Sequence, residues 1–166
     1  MDPRVKISPL ELDKKLQAEL RMSAIMSETS TALAEAESIR KQLEERTAQA
    51  KGETQNDFAD FKKKLAAVVG GPGGPLTPTA AQATLTRVNG DAASLYGQIW
   101  QVDAAPTAAQ TEALAATEHG SAGVLERWEE FKKSDVPALN RRLHEKQAPA
   151  IRIEADQTLE ESNDEE

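Results

Sequence analysis

His119 and His144 each stand beside a glutamate, Glu118 and Glu145. Imidazole near carboxylate is the raw material of proton transfer and of metal binding. That chemistry needs the two groups to converge, and adjacent residues on a helix point about 100° apart. No His-x-x-x-His pair, no Glu-x-x-His and no Asp-rich calcium loop occurs. The chain has no cysteine, which excludes thiolate metal sites, disulfides and cysteine nucleophiles. "GSAG" at 120–123 is not a Gly-x-Ser-x-Gly elbow and falls within a helical pattern. "GGPGGPLTP" at 70–78 is glycine-rich, but no Gly-Lys-Ser/Thr follows it and no strand precedes it. It is a flexible connector and not a phosphate loop. The pairs Glu44-Glu45 and Glu129-Glu130 fall on solvent-facing positions, not in a shared cleft that would separate their pKa values. Trp100 and Trp128 read as core or inter-helix anchors, since no basic residues are interleaved around Trp100 to make a base-stacking platform. The sequence assigns no catalytic residue, no metal ligand and no cofactor.

The composition narrows the classes further. Of 166 residues, 39% are hydrophobic and only 4% aromatic. A core of Leu, Ile, Val, Met and many alanines suits closely packed helices and suits sheets badly. The net charge of −8 is concentrated at one end: residues 154–166, "EADQTLEESNDEE", hold seven acids and no base, which leaves −1 for residues 1–153. The tail has the composition of a solvated, disordered segment. The near-neutral body shows no basic face, which argues against nucleic-acid binding. No apolar run approaches the roughly 20 residues that span a bilayer, so membrane insertion is not expected. No basic start followed by an apolar run marks a signal peptide, and the compartment is not legible.

The elements that would carry any function are helices. Ser8-Pro9-Leu10-Glu11 is a capping box with proline at the first helical position. From Leu12 the apolar positions run Leu16, Leu20, Met22, Ile25, Met26, Thr29, Leu33, Ala36, Ile39 and Leu43, mostly three or four apart. This predicts a helix over 9–51, about 60 Å long at 1.5 Å per residue. Phe58, Phe61, Leu65 and Val68 predict a second helix over 55–69. "PTAAQ" occurs at 78–82 and again at 106–110, each a capping box, Thr79 with Gln82 and Thr107 with Gln110. These predict helices over 79–102 and 107–133. Gly120 and Gly123 inside the fourth suggest a close helix crossing. Asp135 is placed to cap a new turn before Pro137; a single helix kinked at Pro137 is the alternative. The expected fold is all-α: an antiparallel bundle of four main helices over 9–153, with a short C-terminal helix or kinked extension and a disordered acidic tail over 154–166.

"MDPRVKISPLEL" at 1–12, "DAAPTAAQ" at 103–110 and "RWEEFKKSDVPALNRRL" at 127–143 resemble the C-terminal helical region of large bacterial sortilin-like proteins. Those proteins carry BNR (Asp-box) or YVTN-type β-propellers and are often labelled glycosyl hydrolase-like. The resemblance spans about residues 1–153. It implies that Arg4-Val5-Lys6-Ile7, in a junction over 1–8, closes a β-region before the helices begin. It also implies that the chain is a C-terminal piece of such a protein, by internal start, split gene or truncation. A parent of this family is expected to be exported. No Ser-x-Asp-x-Gly-x-x-Trp box occurs here, so any hydrolase activity belongs to the propeller and no catalytic residue is carried over.

The expected function is therefore structural: a non-catalytic protein-interaction domain, accessory to a β-propeller. The alternative is an independent helical module that homodimerises through its first helix. In both, the partner is protein, either the propeller of a parent or a second copy. The expected interaction face is the stripe Leu12, Leu16, Met22, Ile25 and Met26 near the start of the first helix.

Overall fold

The computed structural model describes residues 8–48, 52–71 and 83–153. The junction segment 1–7, most of the Gly/Pro connector, the first capping box at Thr79 and Gln82, and the acidic tail lie outside the described residues. The chain is all-α, and no strand occurs among the described residues. Its helices are α1 (Pro9–Thr47), α2 (Glu53–Val69), α3 (Leu85–Trp100), α4 (Ala108–Glu130) and α5 (Val136–Glu145), with a π-helical turn over Phe131–Asp135 joining the last two.

Helix ends follow local chemistry. Ser8 N–H donates to Glu11 Oε2 at 2.8 Å, and Glu11 N–H donates back to Ser8 Oγ at 3.3 Å, closing the capping box. Thr107 and Gln110 do the same at 2.9 and 3.2 Å. α1 stops at Thr47, short of the expected 51, and Gly52 opens α2 at φ 62°, a value that a side chain would resist. α3 starts at Leu85 rather than 79, because Thr84 supplies the cap: its Oγ1 accepts from Arg87 N–H.

The described residues divide into two compact units, one within 1–30 and 77–126, the other within 31–76 and 127–166. The first holds residues 9–30 of α1, all of α3 and residues 108–126 of α4. α3 runs antiparallel to α1, with Asn89 against Thr29 and Trp100 against Lys15. Its core is Ala18, Met22, Ile25 and Thr29 against Leu85, Val88, Ala92, Leu95, Ile99, Leu114 and Val124. Thr29 is a buried polar residue in that seam. Its hydroxyl donates to Ile25 O at 2.6 Å and accepts from Asn89 Nδ2 at 2.8 Å, so its burial leaves no group unsatisfied.

The second unit holds residues 31–47 of α1, α2, the end of α4 and α5. All three phenylalanines and Trp128 are in its core, with Ile39, Leu43, Leu65, Leu139 and Leu143. Trp128 stacks on Phe131 at 5.6 Å, and Phe61 tilts against Phe131 at 5.0 Å. Asp135 does not cap a new helix. It stays helical, with φ −74° and ψ −41°, and its carboxylate pairs with Lys64 at 2.6 Å. Instead the helix widens into the π turn, where Val136 N–H reaches Phe131 O, five residues back. Pro137 explains the widening, since an α register would press its ring on the carbonyl four residues earlier. The wide turn also absorbs one residue. Inner positions Val124, Trp128, Phe131, Val136, Leu139 and Leu143 step by 4, 3, 5, 3 and 4, and the five falls on the π segment.

Candidate interaction surface

Buried positions on α1 are Ala18, Met22, Ile25, Thr29, Ala32, Ala36, Ile39 and Leu43, alternating steps of four and three throughout. This is the 3.5-residue seam of coiled-coil packing. Leu16 and Leu20 each precede a seam residue, Ala18 and Met22, by two positions. Two residues turn a helix by about 200°, so both leucines point away from the core. They are 50% and 55% exposed.

Continuing the seam toward the N-terminus brings Lys15, not a leucine, to the next inner position. Its side chain is mostly covered, and its Nζ donates to Trp100 O at 3.3 Å and pairs with Asp103 at 3.7 Å and Glu19 at 3.6 Å. Lys15 thereby closes the end of the first unit with charge. The ammonium meets a carbonyl at the C-terminal end of α3, the negative end of that helix dipole. The apolar residues this arrangement leaves outside are Leu10, Leu16, Leu20, Trp100 (63% exposed) and Val102. Of the six exposed large hydrophobics among the described residues, these five belong to the first unit; the sixth, Ile153, belongs to the second.

The five residues of the expected face separate accordingly. Leu16 is exposed, and Leu12 and Met26 are half-buried on the flanks of the seam. Met22 and Ile25 are core residues, Met22 with no exposure at all, because they occupy the seam itself. They cannot belong to an open face. Trp100 also departs from expectation: it is solvent-exposed and anchors no core, since it follows the inward-facing Ile99 by one position, about 100° round the helix. Trp128 does anchor a core, donating its indole N–H to Glu35 Oε2 at 2.9 Å. The Lys15 plug was missed by sequence reasoning, although the alternation of four and three running back from Ala18 marks position 15.

His119 and His144 are exposed and lie in different units. Glu44, Glu45, Glu129 and Glu130 are on the surface. The hydrogen bond from Lys132 holds the Glu129 carboxyl below its ordinary value. Burial works against the Lys132 ammonium, but hydrogen bonds to Glu129 and Glu35 outweigh it and raise its pKa. An open cleft of about 410 Å³ in the second unit is lined by Glu53, Asn56, Asp57, Arg142, Glu145 and Lys146. Asp57 dominates it, accepting from Arg142 at 2.8 Å and Lys146 at 2.9 Å, and the bond from Lys146 lowers its pKa. The charges of Asp57, Arg142 and Lys146 are thus spent on one another. Among the described residues no group of three or more His, Asp or Glu side chains is placed to hold a metal ion. No described helix is long and apolar enough to cross a membrane. No known protein family, no curated protein and no solved structure matches the chain.

Proposed function

We propose that this chain is a non-catalytic helical interaction domain, the C-terminal accessory module of a large sortilin-like, BNR-type β-propeller protein. In this reading Leu10, Leu16, Leu20, Trp100 and Val102 dock on protein. The observation that supports it is their co-location on the first unit, around a mostly covered lysine that closes the end of the core. Scattered single apolar residues need no explanation, whereas a group at one end of a bundle marks a contact surface. The preceding propeller is the partner, because the chain enters α1 at this end, and the parent protein is exported as its family implies.

The test is binding between this chain and the separately purified propeller encoded upstream of it. A saturable isotherm with Kd of about micromolar or tighter, a value suited to a modest interface, supports the reading. A blue shift of tryptophan emission should accompany it, since Trp128 is already buried and only Trp100 has solvent to lose. Trp100→Glu should abolish both. Absence of binding by wild type at ~1 mM overturns it.

A second reading is a homodimerisation module using leucines of the first helix, Leu16 and Leu20 among them. Leu12, Leu16 and Leu20 form an i, i+4, i+8 row, and such a row on one helix is complementary to itself about a two-fold axis. A wild-type mass that doubles with concentration, and returns to monomer in Leu16→Lys, favours this reading over the first.

A further inference from the structure

The C-terminal stretch after α5 is held in an unusual way. Gln147 has φ 54°, the one non-glycine residue with positive φ among the described residues. Its N–H donates to His144 O at 3.0 Å and Ala148 N–H donates to Leu143 O at 2.8 Å. These bonds close a Schellman turn in which glutamine stands where glycine is preferred, so its Cβ is crowded. The turn sends residues 148–153 back along the second unit. They join no strand there; two carboxamide side chains bind their main chain instead. Asn140 donates to Ile151 O at 2.9 Å and accepts from Ile151 N–H at 2.7 Å. Gln42 donates to Arg152 O at 2.7 Å and accepts from Arg152 N–H at 2.9 Å.

A carboxamide offers donor and acceptor side by side, as a neighbouring strand does. Successive residues of an extended chain turn these groups to opposite sides. One amide from α5 and one from α1 therefore stitch both edges of the segment. One side chain, Ile151, is buried beneath it, while Arg152 and Ile153 stay outside.

We infer that the groove between residues 31–47 of α1 and α5 is a slot for an extended aliphatic segment, which the chain fills with its own residues 148–153 and exchanges for the same segment of a second copy. The slot recognises main-chain groups of two residues and one aliphatic side chain, so release leaves the helices intact. A second copy supplies identical contacts. Exchange also frees residue 147 from its crowded conformation, the strain that favours segment swapping at short hinges. This interface lies in the second unit and is independent of the leucine row.

The experiment is light scattering on full-length variants. Gln147→Pro fixes φ near −65° and removes the N–H that closes the turn, so it should be a dimer at about 100 μM, a concentration for a modest interface. Gln147→Gly relaxes the turn in place and should stay monomeric there. Adding Ile151→Asp to Gln147→Pro should restore the monomer. A helical but monomeric Gln147→Pro, or a dimer that survives Ile151→Asp, overturns the inference. If Gln147→Pro does not fold, the wild type at ~1 mM decides. A dimer fraction lost in Ile151→Asp and kept in Leu16→Lys supports exchange; no dimer, or one indifferent to Ile151→Asp, overturns it.

Discussion

Trp128 Nε1 and Glu35 Oε2 are 2.9 Å apart, and Lys132 Nζ reaches the same oxygen at 3.0 Å while lying 5.8 Å from the Trp128 ring centre. The largest side chain of the second unit is thus fixed by one carboxylate. Trp128 is 1% exposed and its N–H is satisfied by Glu35, so removing Glu35 takes away that partner. Glu35→Ala should cost about 1–3 kcal/mol, the cost of an unsatisfied buried donor. Glu35→Gln keeps an acceptor for the indole and loses only the charge, so it should cost less than about 1 kcal/mol. Urea titrations of the two variants check the order.

Acid should weaken the fold through a small set of carboxylates. Asp57 is held below its ordinary value of 3.8, Glu129 below 4.5, and Glu11 below 4.5 by the Ser8 hydroxyl and N–H. A depressed carboxylate contributes stability that is complete above its unfolded pKa and is lost as pH falls through the folded one. Lys132 is raised above 10.5, so its contribution is complete below that pH and is lost only in strong base. Stability should be flat between these limits and fall below the carboxylate range. Asp57→Asn should be less stable than wild type at neutral pH, and the two should converge near pH ~2. Parallel curves down to that pH would show that the Asp57 pairs contribute nothing.

The two glycines within α4 should be replaceable. A Cβ on Gly120 would meet Ala83 at 3.5 Å and Val88 at 3.6 Å, ordinary contact distances, and one on Gly123 would meet nothing within 4 Å. The close crossing expected from their presence is therefore absent at Gly123 and leaves room at Gly120. Gly120→Ala and Gly123→Ala should each stabilise by about 0.5–1 kcal/mol through helix propensity alone. A loss of stability in Gly123→Ala would mean that this surface is packed in solution.

Most of the architecture was legible because caps are local. Ser8 with Glu11 and Thr107 with Gln110 fix two helix starts through contacts three residues apart. Pro137 marked an interruption or a kink in the sequence, but not the π turn, because the inward position of Val136 that makes the step of five from Phe131 is set by packing. The face of α1 was not. Its seam includes Ala18, Ala32 and Ala36, which bury little area and do not stand out against Leu12, Leu16 and Leu20 in an apolar count. The leucines outrank the alanines in hydrophobicity, yet Met22, Ile25, Ile39 and Leu43 set the register, and three leucines off that register could not turn it. The seating of residues 148–153 was illegible for a different reason. Gln42 and Asn140 are 98 positions apart, and nothing local marks a carboxamide that will bind main chain.

The leucine row and the seam make opposite predictions for the same substitution. Lysine at Leu16 places its charge in water, where surface changes usually stay within about 0.5 kcal/mol. Thermal melting of Leu16→Lys should match wild type within a degree or two, by the same surface expectation. Lysine at Met22 places a charge at a position with no exposure, against Ile25 and the α3 core. A buried unpaired charge costs about 3–5 kcal/mol, a large part of the roughly 5–15 kcal/mol that hold a domain together. Met22→Lys should therefore lose cooperative melting or helicity by circular dichroism. Leu16→Lys should keep both while losing whatever association the leucines mediate. If the two variants melt alike, Met22 is not in the seam and the heptad register of α1 is misplaced by at least one residue. If Leu16→Lys unfolds instead, the leucine row is core, and the exposed end of the first unit is not a docking surface.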